Sequence, residues 1–231
     1  MNNLSEKSIH EFLNEKPCLA HMKKLLNSSY SKSEKDYKVG TTVHAVNKID
    51  KGKYSYLLEA PLGLIDNPKF DPYLSPQEML ELGVFEGKYL NDCVLEFPKE
   101  WFIKAIQADS LSPQGPDINC NYFKIKSRQS LAKWRENGWI PQIQDDPDNR
   151  GWFQWYCRYW IGRRIPEVDS IQIARWRSFK RHYGQVKKNC GDLTCSDCAH
   201  KKSDTAEFLP KFNCRPKQRQ ALLQWSYNAF I

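Results

Sequence analysis

The stretch GWFQWYCRYWIGRRIP, residues 151–166, decides the fold of the C-terminal third of the chain. Its first ten residues contain three Trp, two Tyr and one Phe. These rings occupy more than one face of a helix, so no single row of exposed stacking rings stands out. The pattern therefore predicts a buried core helix from Trp152 to Ile161.

The end of this stretch predicts a corner between two helices. Gly162 favours a helix C-terminus and Pro166 the first turn of the next helix, which leaves Arg163 and Arg164 in the turn. The free N–H groups and the dipole of the second helix favour an anion here, so the corner is a candidate phosphate site. In the alternative, one arginine satisfies carbonyls of the first helix and the other pairs with Glu167 or Asp169.

The next two helices are predicted from Pro166 to about Asn189 and from Pro216 to about Phe230. Apolar residues on the first of them recur at helical spacing and predict a core-facing stripe: Ile173, Trp176, Phe179, Tyr183 and Val186. A neighbouring stripe is basic: Arg177, Lys180, Arg181, Gly184, Lys187 and Lys188. Such a helix can lie along a nucleic-acid groove while its apolar side packs on the protein.

The start of the last helix is also basic. Arg215, Lys217 and Arg219 fall near its N terminus, where positive charge opposes the helix dipole. Three basic residues at a helix start, where the dipole disfavours positive charge, suggest an anionic partner.

The net charge of +8 is unevenly distributed over the 231 residues. Residues 151–231 contain 15 Lys and Arg against 6 Asp and Glu, whereas residues 1–150 are nearly neutral. A clustered basic excess is the electrostatic footprint of a polyanion binder, since cations near phosphates release condensed counterions. A solvated basic face is the alternative.

The sequence lacks the features of a membrane-spanning or secreted protein. The chain contains no apolar run approaching the roughly 20 residues of a membrane span, and its first residues lack signal-peptide features. We therefore expect an intracellular protein, cytoplasmic or nuclear, with no membrane partner. Four scattered cysteines are expected to be reduced thiols: Cys18, Cys93, Cys120 and Cys157.

The other four cysteines form a cluster with the pattern C-x4-C-x2-C-x-H-x13-C. The spacing predicts a tetrahedral zinc site that crosslinks the C-terminal loop. The predicted ligands are Cys190, Cys195, Cys198 and Cys214, and His200 is a substitute ligand. An iron–sulfur cluster also uses four thiolates, and a disulfide between two of these cysteines is the non-metal alternative.

The first two thirds of the chain predict a small hairpin followed by short helices. Within residues 1–40, a helical segment is predicted at 5–27 with an interruption at Pro17, and a polar linker follows it. A β-hairpin is predicted at 41–60 and short helices at 98–108 and 127–137. A further helix follows a capping box in which Ser75 is the N-cap, Pro76 is the first helical residue and Glu78 the third, and Gly83 ends it. The prediction is a mainly α fold, α+β at most, with 41–231 as one domain and 151–231 as its basic third.

Familiar catalytic motifs are missing from the sequence: it contains no GxGxxG, Walker loop, GxSxG or HExxH. The remaining catalytic candidates are Asp92, Glu96, Asp169 and His182, each of which fits a structural role better than a catalytic one. A base-excising enzyme needs little beyond a carboxylate in an aromatic pocket, here expected between residues 85–102 and 151–166.

Several longer motifs resemble an uncharacterised family of microbial and fungal proteins: LGVFEGKYLNDC (82–93), EFPKEWF (96–102), NYF and KSRQSLAKWRENGWI (121–140), GWFQWYCRYWIGRRIPEVD (151–169) and RPKQRQALLQWSY (215–227). The resemblance covers about residues 75–227 and implies a shared fold without assigning a reaction. Members run from a GDLTC-like segment directly into RPRQRQALL. This chain instead inserts residues 196–214, which add Cys198 and Cys214.

Together these patterns predict a nucleic-acid-binding protein, with DNA as the expected partner, whose basic C-terminal helices contact phosphates. One alternative is an enzyme acting on DNA bases or modified nucleotides, similar to a glycosylase. The other is a protein-interaction module.

Overall fold

The computed structural model describes residues 18–127, 129–138, 147–190 and 214–231. Helices dominate these residues, which confirms the mainly α prediction. The helices are α1 (Leu19–Leu26), α2 (Pro76–Glu81), α3 (Lys99–Gln107), α4 (Leu131–Glu136), α5 (Trp152–Trp160), α6 (Pro166–Cys190) and α7 (Pro216–Leu223). Short 3-10 turns lie at Glu34–Asp36, Val84–Gly87 and Ile118–Cys120.

The two strands, β1 (Thr42–His44) and β2 (Ser55–Leu57), form the predicted hairpin. They pair antiparallel with Val43 opposite Tyr56, and these central residues are buried while their neighbours are exposed. Because side chains alternate across a strand, one face of the hairpin covers the core and the other faces solvent.

Helix α2 begins as its capping box predicts. The Glu78 N–H donates to Ser75 Oγ at 3.2 Å, and the Ser75 N–H donates to Glu78 Oε2 at 2.7 Å. Two backbone donors at the helix start are thereby satisfied. Gly83, with φ of 65°, follows the helix as the expected stop signal.

The corner after α5 depends on Gly162. Its φ is 113°, and its carbonyl accepts from the N–H groups of Glu59 and Ala60, which follow the hairpin. A Cβ at this position would lie 2.0 Å from the carbonyl oxygen of Ala60. Glycine is therefore required both by the backbone conformation and by the close approach of the hairpin.

The core is built around aromatic rings, as the composition of α5 predicts. Phe70, from the irregular segment before α2, lies 5.4 Å from the ring of Trp155 and 5.7 Å from Tyr159. The same ring packs edge-on against Trp176 of α6 at 5.0 Å. One phenylalanine thus joins α5 to the apolar stripe of α6, where Trp176 and Val186 are buried.

The last helix is shorter than predicted. We expected it to reach about Phe230, but α7 ends at Leu223. The chain turns at Ser226, whose φ is 52°, so that its hydroxyl donates to the carbonyl of Leu74 at 2.6 Å and accepts from the N–H of Leu74 at 2.8 Å. Tertiary hydrogen bonds override the local helical pattern here.

At the N-terminal end, α1 confirms the second part of the helix predicted at 5–27, while residues 1–17 lie outside the described ranges. Met22 and Leu26 of α1 are buried in the core. In the part of the chain that the structure describes, none of the helices has the length and apolarity that crossing a bilayer requires.

Candidate functional site

The predicted phosphate corner is occupied by internal contacts. Arg163 is 1% exposed, and its guanidinium forms a two-pronged ion pair with Asp148, Nη1 to Oδ1 at 2.9 Å and Nη2 to Oδ2 at 2.5 Å. Burial alone would lower the pKa of Arg163, but Asp148 outweighs it and raises that pKa. Arg163 is therefore a buried structural residue, and its guanidinium group does not face solvent.

Arg164 and the adjoining backbone are engaged as well. The Arg164 side chain donates to the carbonyls of Tyr159 and Leu64, both at 2.7 Å, and its Nε pairs with Asp66 at 3.1 Å. The N–H of Ile165, which would have faced an anion, donates to Asp169 Oδ2 at 2.9 Å. The structure thus favours the structural alternative for this corner, with Asp148 and Asp66 as partners in place of Glu167 or Asp169.

A buried ionic network behind the corner was missed by sequence reasoning. Arg158, fully buried in α5, donates through Nε to Glu96 at 2.6 Å and pairs with Asp148 at 3.2 Å and Asp50 at 3.1 Å. Burial opposes the charged guanidinium, but Glu96 and Asp148 dominate and raise the pKa of Arg158 well above its ordinary value. The only sequence signal was one arginine amid the aromatic residues of α5.

The basic stripe of α6 does face solvent. Five of its side chains are exposed: Arg177, Lys180, Arg181, Lys187 and Lys188. Within the described ranges none of the five forms a salt bridge. The neighbouring apolar stripe of the helix is fixed to the core by Trp176 and Val186, so the basic face has a defined orientation.

The three basic residues at the start of α7 separate into two kinds. Arg215 and Lys217 are exposed. Arg219 is fully buried and donates to the carbonyls of Ala229, at 2.5 Å, and Ile231, at 2.8 Å, so it secures the C-terminal segment. The expectation that Arg219 contacts phosphate therefore conflicts with its burial.

Two of the predicted zinc ligands lie together. Cys190, at the end of α6, and Cys214, just before α7, form a disulfide with a Cα–Cα distance of 6.0 Å. Cys195, Cys198 and His200 lie outside the described residues. Among the residues that are described, no group of three or more His, Cys, Asp or Glu side chains could hold a metal ion. The zinc site stays a prediction.

A cavity of about 370 Å³ lies between the segment around residue 90 and the start of α5. Its volume falls in the range of small-molecule pockets, roughly 300–1,000 Å³. Six aromatic side chains line it: Phe85, Tyr89, Trp134, Trp152, Phe153 and Trp225. This is the place where the enzymatic alternative expects an aromatic pocket.

One wall of the cavity has an unusual backbone. Phe85 and Leu90, which line the cavity, have φ values of 56° and 60°, and Glu86 beside Phe85 has 59°; all three lie in the left-handed region that disfavours side chains. Gly83 begins this run, and a Cβ there would lie 1.7 Å from the carbonyl oxygen of Cys120. Non-glycine residues in this conformation typically accumulate at functional sites, where the surrounding fold holds them.

Of the four catalytic candidates, Asp92 lines the cavity. Its carboxylate pairs with Arg150, Oδ1 to Nη1 at 2.7 Å and Oδ2 to Nη2 at 2.6 Å, and also accepts from the N–H of Lys48 at 3.0 Å. Burial would raise the pKa of Asp92, but Arg150 outweighs burial and holds the pKa below its ordinary value. The group is thus an ionised, hydrogen-bonded carboxylate, which suits a binding wall better than a proton donor.

The other three candidates have structural surroundings. Glu96 is fully buried and accepts from Arg158 and from Tyr56. Asp169 accepts from Trp155 Nε1 at 2.8 Å, and burial raises its pKa. His182 lies 4.4 Å from the ring of Phe179, and burial together with Arg181 lowers its pKa. The structure does not bring these three groups to the cavity lined by Asp92.

No family model, no curated protein and no solved structure matches this chain.

Proposed function

We propose that the protein binds nucleic acid, with DNA as the expected partner, through the basic face of α6. The observation that carries the proposal is the exposure of five cations on one side of a helix whose neighbouring apolar stripe is fixed in the core. The sequence supplies no Asp or Glu from 170 to 190 or from 214 to 231, so these cations have no acidic neighbours on their own helices. A face of this kind attracts phosphates and releases their counterions.

The proposed interface contains fewer residues than the sequence predicted. Arg177, Lys180, Arg181, Lys187 and Lys188 form its centre, and they span about 16 Å at 1.5 Å per residue. Arg215 and Lys217 are exposed at the start of α7 and can extend it. Arg163, Arg164 and Arg219 are excluded because their guanidinium groups bond to groups within the protein.

In this proposal, zinc would act outside the interface. Cys190 and Cys214 connect the end of α6 to the start of α7, so a metal bound by the reduced cysteine cluster would fix the two basic segments relative to each other. The proximity of these two cysteines, whose Cα atoms lie 6.0 Å apart, supports this role.

Salt dependence tests the proposal. Five phosphate contacts predict that the logarithm of the affinity for a DNA duplex falls with the logarithm of salt concentration with a slope of about −4.5. Fluorescence anisotropy with a labelled duplex between about 50 and 200 mM salt measures this slope. A duplex of RNA with the same sequence tests the expected preference for DNA.

A charge-matched pair of variants locates the interface. The test variant carries glutamine at the five α6 positions: Arg177, Lys180, Arg181, Lys187 and Lys188. The control carries glutamine at five exposed lysines elsewhere: Lys23, Lys24, Lys35, Lys38 and Lys53. Both lose five positive charges, but only the α6 variant should lose most of its affinity and its salt slope. Equal losses would show that net charge alone drives binding, and affinity that ignores salt would leave the face as a protein-interaction surface or a solvated one.

A further inference from the structure

The lining of the aromatic cavity combines buried apolar residues with lysines that are closer to the surface. Leu90, Trp152 and Phe153 line the cavity and are buried. Lys48 also lines it and is exposed, and Lys88 is a half-buried lining residue. A ligand that enters the cavity therefore meets positive charge near the surface and apolar side chains further inside.

Part of the apolar surface of the lining is accessible. Phe85, Tyr89, Trp134 and Trp225 line the cavity and are only half-buried. Ile49, another lining residue, is 43% exposed. Covering apolar surface favours binding roughly in proportion to the area removed from water. These residues therefore favour a ligand with an apolar body.

The charged residues of the lining favour an anionic group on that ligand. Asp92 and Arg150 neutralise each other in an ion pair, with Oδ2 and Nη2 at 2.6 Å. The other charged residues of the lining are Lys48 and Lys88. Aromatic pockets can bind ammonium groups, but here the two lysines would repel a cation. The charge of a complementary ligand is therefore negative.

Lys88 is placed to receive the anionic group. Its Nζ donates to the carbonyl of Pro113, another lining residue, at 2.5 Å. An ammonium carries three donors, so this bond leaves donors for a ligand. The pKa of Lys88 is lowered mainly by burial; Asp92 acts against this effect and Lys48 acts with it. An anion beside Lys88 would offset both the burial and the repulsion from Lys48.

We propose that this cavity binds a small amphipathic anion, in which an apolar body carries one carboxylate or sulfonate group. The body lies against the half-buried rings of Trp134 and Trp225, and the anionic group lies beside Lys88. The left-handed backbone at Phe85 and Leu90 supports a ligand site here, because such conformations typically accumulate at functional sites. The inference is independent of the basic face of α6, to which the proposed function assigns a polyanion.

Fluorescence titration of the full-length protein with two dyes tests this inference. Anilinonaphthalene sulfonate is the anionic probe, and phenylnaphthylamine has the same rings without the sulfonate. Both dyes should saturate one site, and the anionic dye should bind about tenfold more tightly, because a hydrogen bond to a charged group strengthens binding by at least about this factor. The difference should shrink in about 1 M salt, where the Debye length falls to about 3 Å.

A second pair of compounds tests whether a carboxylate replaces the sulfonate. Octanoate should displace the anionic dye, and octanamide has the same chain without the charge. Octanamide should therefore need a concentration about tenfold higher for the same displacement. Equal potency of the two compounds would contradict a site for an anion.

Variants separate the two parts of the site. Lys88→Met should lower the affinity for the anionic dye about tenfold and leave that for the neutral dye unchanged. Lys32→Met is the matched control, because Lys32 is also half-buried with a pKa lowered by burial, but it lies outside the lining. Trp134→Ala should weaken both dyes alike, by about tenfold. Trp160→Ala, at a half-buried tryptophan outside the lining, should weaken neither.

Thermal unfolding midpoints confirm that each variant is folded. The inference is overturned if neither dye saturates a site, if the neutral dye binds as tightly as the anionic one, or if folded Lys88→Met keeps the tenfold preference. It is equally overturned if the five-glutamine α6 variant loses the anionic dye, because the dye would then bind to the basic face. Unchanged dye binding in that variant, together with the loss in Lys88→Met, is the expected result.

Discussion

Replacement of Arg163 by methionine separates a buried structural arginine from a phosphate ligand. The substitution removes both hydrogen bonds to Asp148 and leaves that carboxylate buried with Arg158 Nη1 at 3.2 Å. Loss of one partner from a buried ion pair destabilises proteins by about 3–5 kcal/mol. Because Arg158 still compensates part of the charge, we expect a loss of about 3 kcal/mol in the free energy of unfolding, at the lower end of that range.

Urea unfolding followed by circular dichroism measures this loss. For a chain of this size the slope should be near the upper end of the usual range, about 3 kcal/mol per M, so the midpoint should fall by about 1 M. Arg177→Met, at an exposed position without a salt bridge in the described residues, is the matched control and should change stability by less than about 0.5 kcal/mol. The DNA affinity should behave in the opposite way, lowered by Arg177→Met and unchanged in folded Arg163→Met.

A double variant checks the physical cause. If an orphaned carboxylate destabilises Arg163→Met, then adding Asp148→Asn should cost less than the sum of the two single losses. A coupling of about 0.5–3 kcal/mol is usual for residues in one network. The reasoning is refuted if Arg163→Met keeps the stability of the wild type and loses DNA affinity, because the arginine would then serve a ligand.

Three further predictions concern the backbone, the cavity and the cysteines. Gly162→Ala should destabilise the protein by about 3 kcal/mol or more in urea unfolding, because φ is positive at position 162 and the new Cβ would clash with Ala60. Gly184→Ala, at an open helical position, should instead stabilise it by about 0.5–1 kcal/mol. Because the pKa of Asp92 is lowered in the folded protein, its ion pair stabilises the fold at pH values above the pKa of an unfolded aspartate, about 3.9, and this stabilisation is lost as the pH falls. The difference in unfolding free energy between wild type and Asp92→Asn should therefore shrink at acid pH. A difference that stays constant with pH would contradict the ion pair. Reduction of the Cys190–Cys214 disulfide should lower the free energy of unfolding by about 3 kcal/mol, and metal analysis of the reduced protein should find one zinc ion per chain that Cys195→Ser abolishes.

Local sequence signals predicted the elements of this fold well. The capping box at Ser75 and the glycine at 162 act within a few residues, so their consequences can be read from the chain alone. The same holds for the hairpin, whose alternating pattern places Val43 and Tyr56 on its buried face. The end of α7 could not be predicted, because it depends on hydrogen bonds between Ser226 and Leu74, 152 residues away.

The candidate sites were harder to predict because the partners of charged residues are remote in sequence. Arg164 pairs with Asp66, 98 residues earlier, and Arg158 with Glu96, 62 residues earlier. No local pattern distinguishes such arginines from exposed ones. The cavity was anticipated only in outline, since its lining brings together residues remote in sequence, from Lys48 to Trp225.

The distribution of charge explains which cations are available to a partner. The nearly neutral first 150 residues contribute the acids that pair with the arginines at 150, 158, 163 and 164: Asp50, Asp66, Asp92, Glu96 and Asp148. From 170 to 190 the helix has no acid of its own, and Arg177 stands three and four residues before Lys180 and Arg181, a spacing at which like charges repel. A folded protein gains no stability from such an arrangement. Among the described residues, the basic face of α6 is therefore a surface whose positive charges form no salt bridge, whereas the arginines at the corner after α5 are neutralised by acids from the first 150 residues.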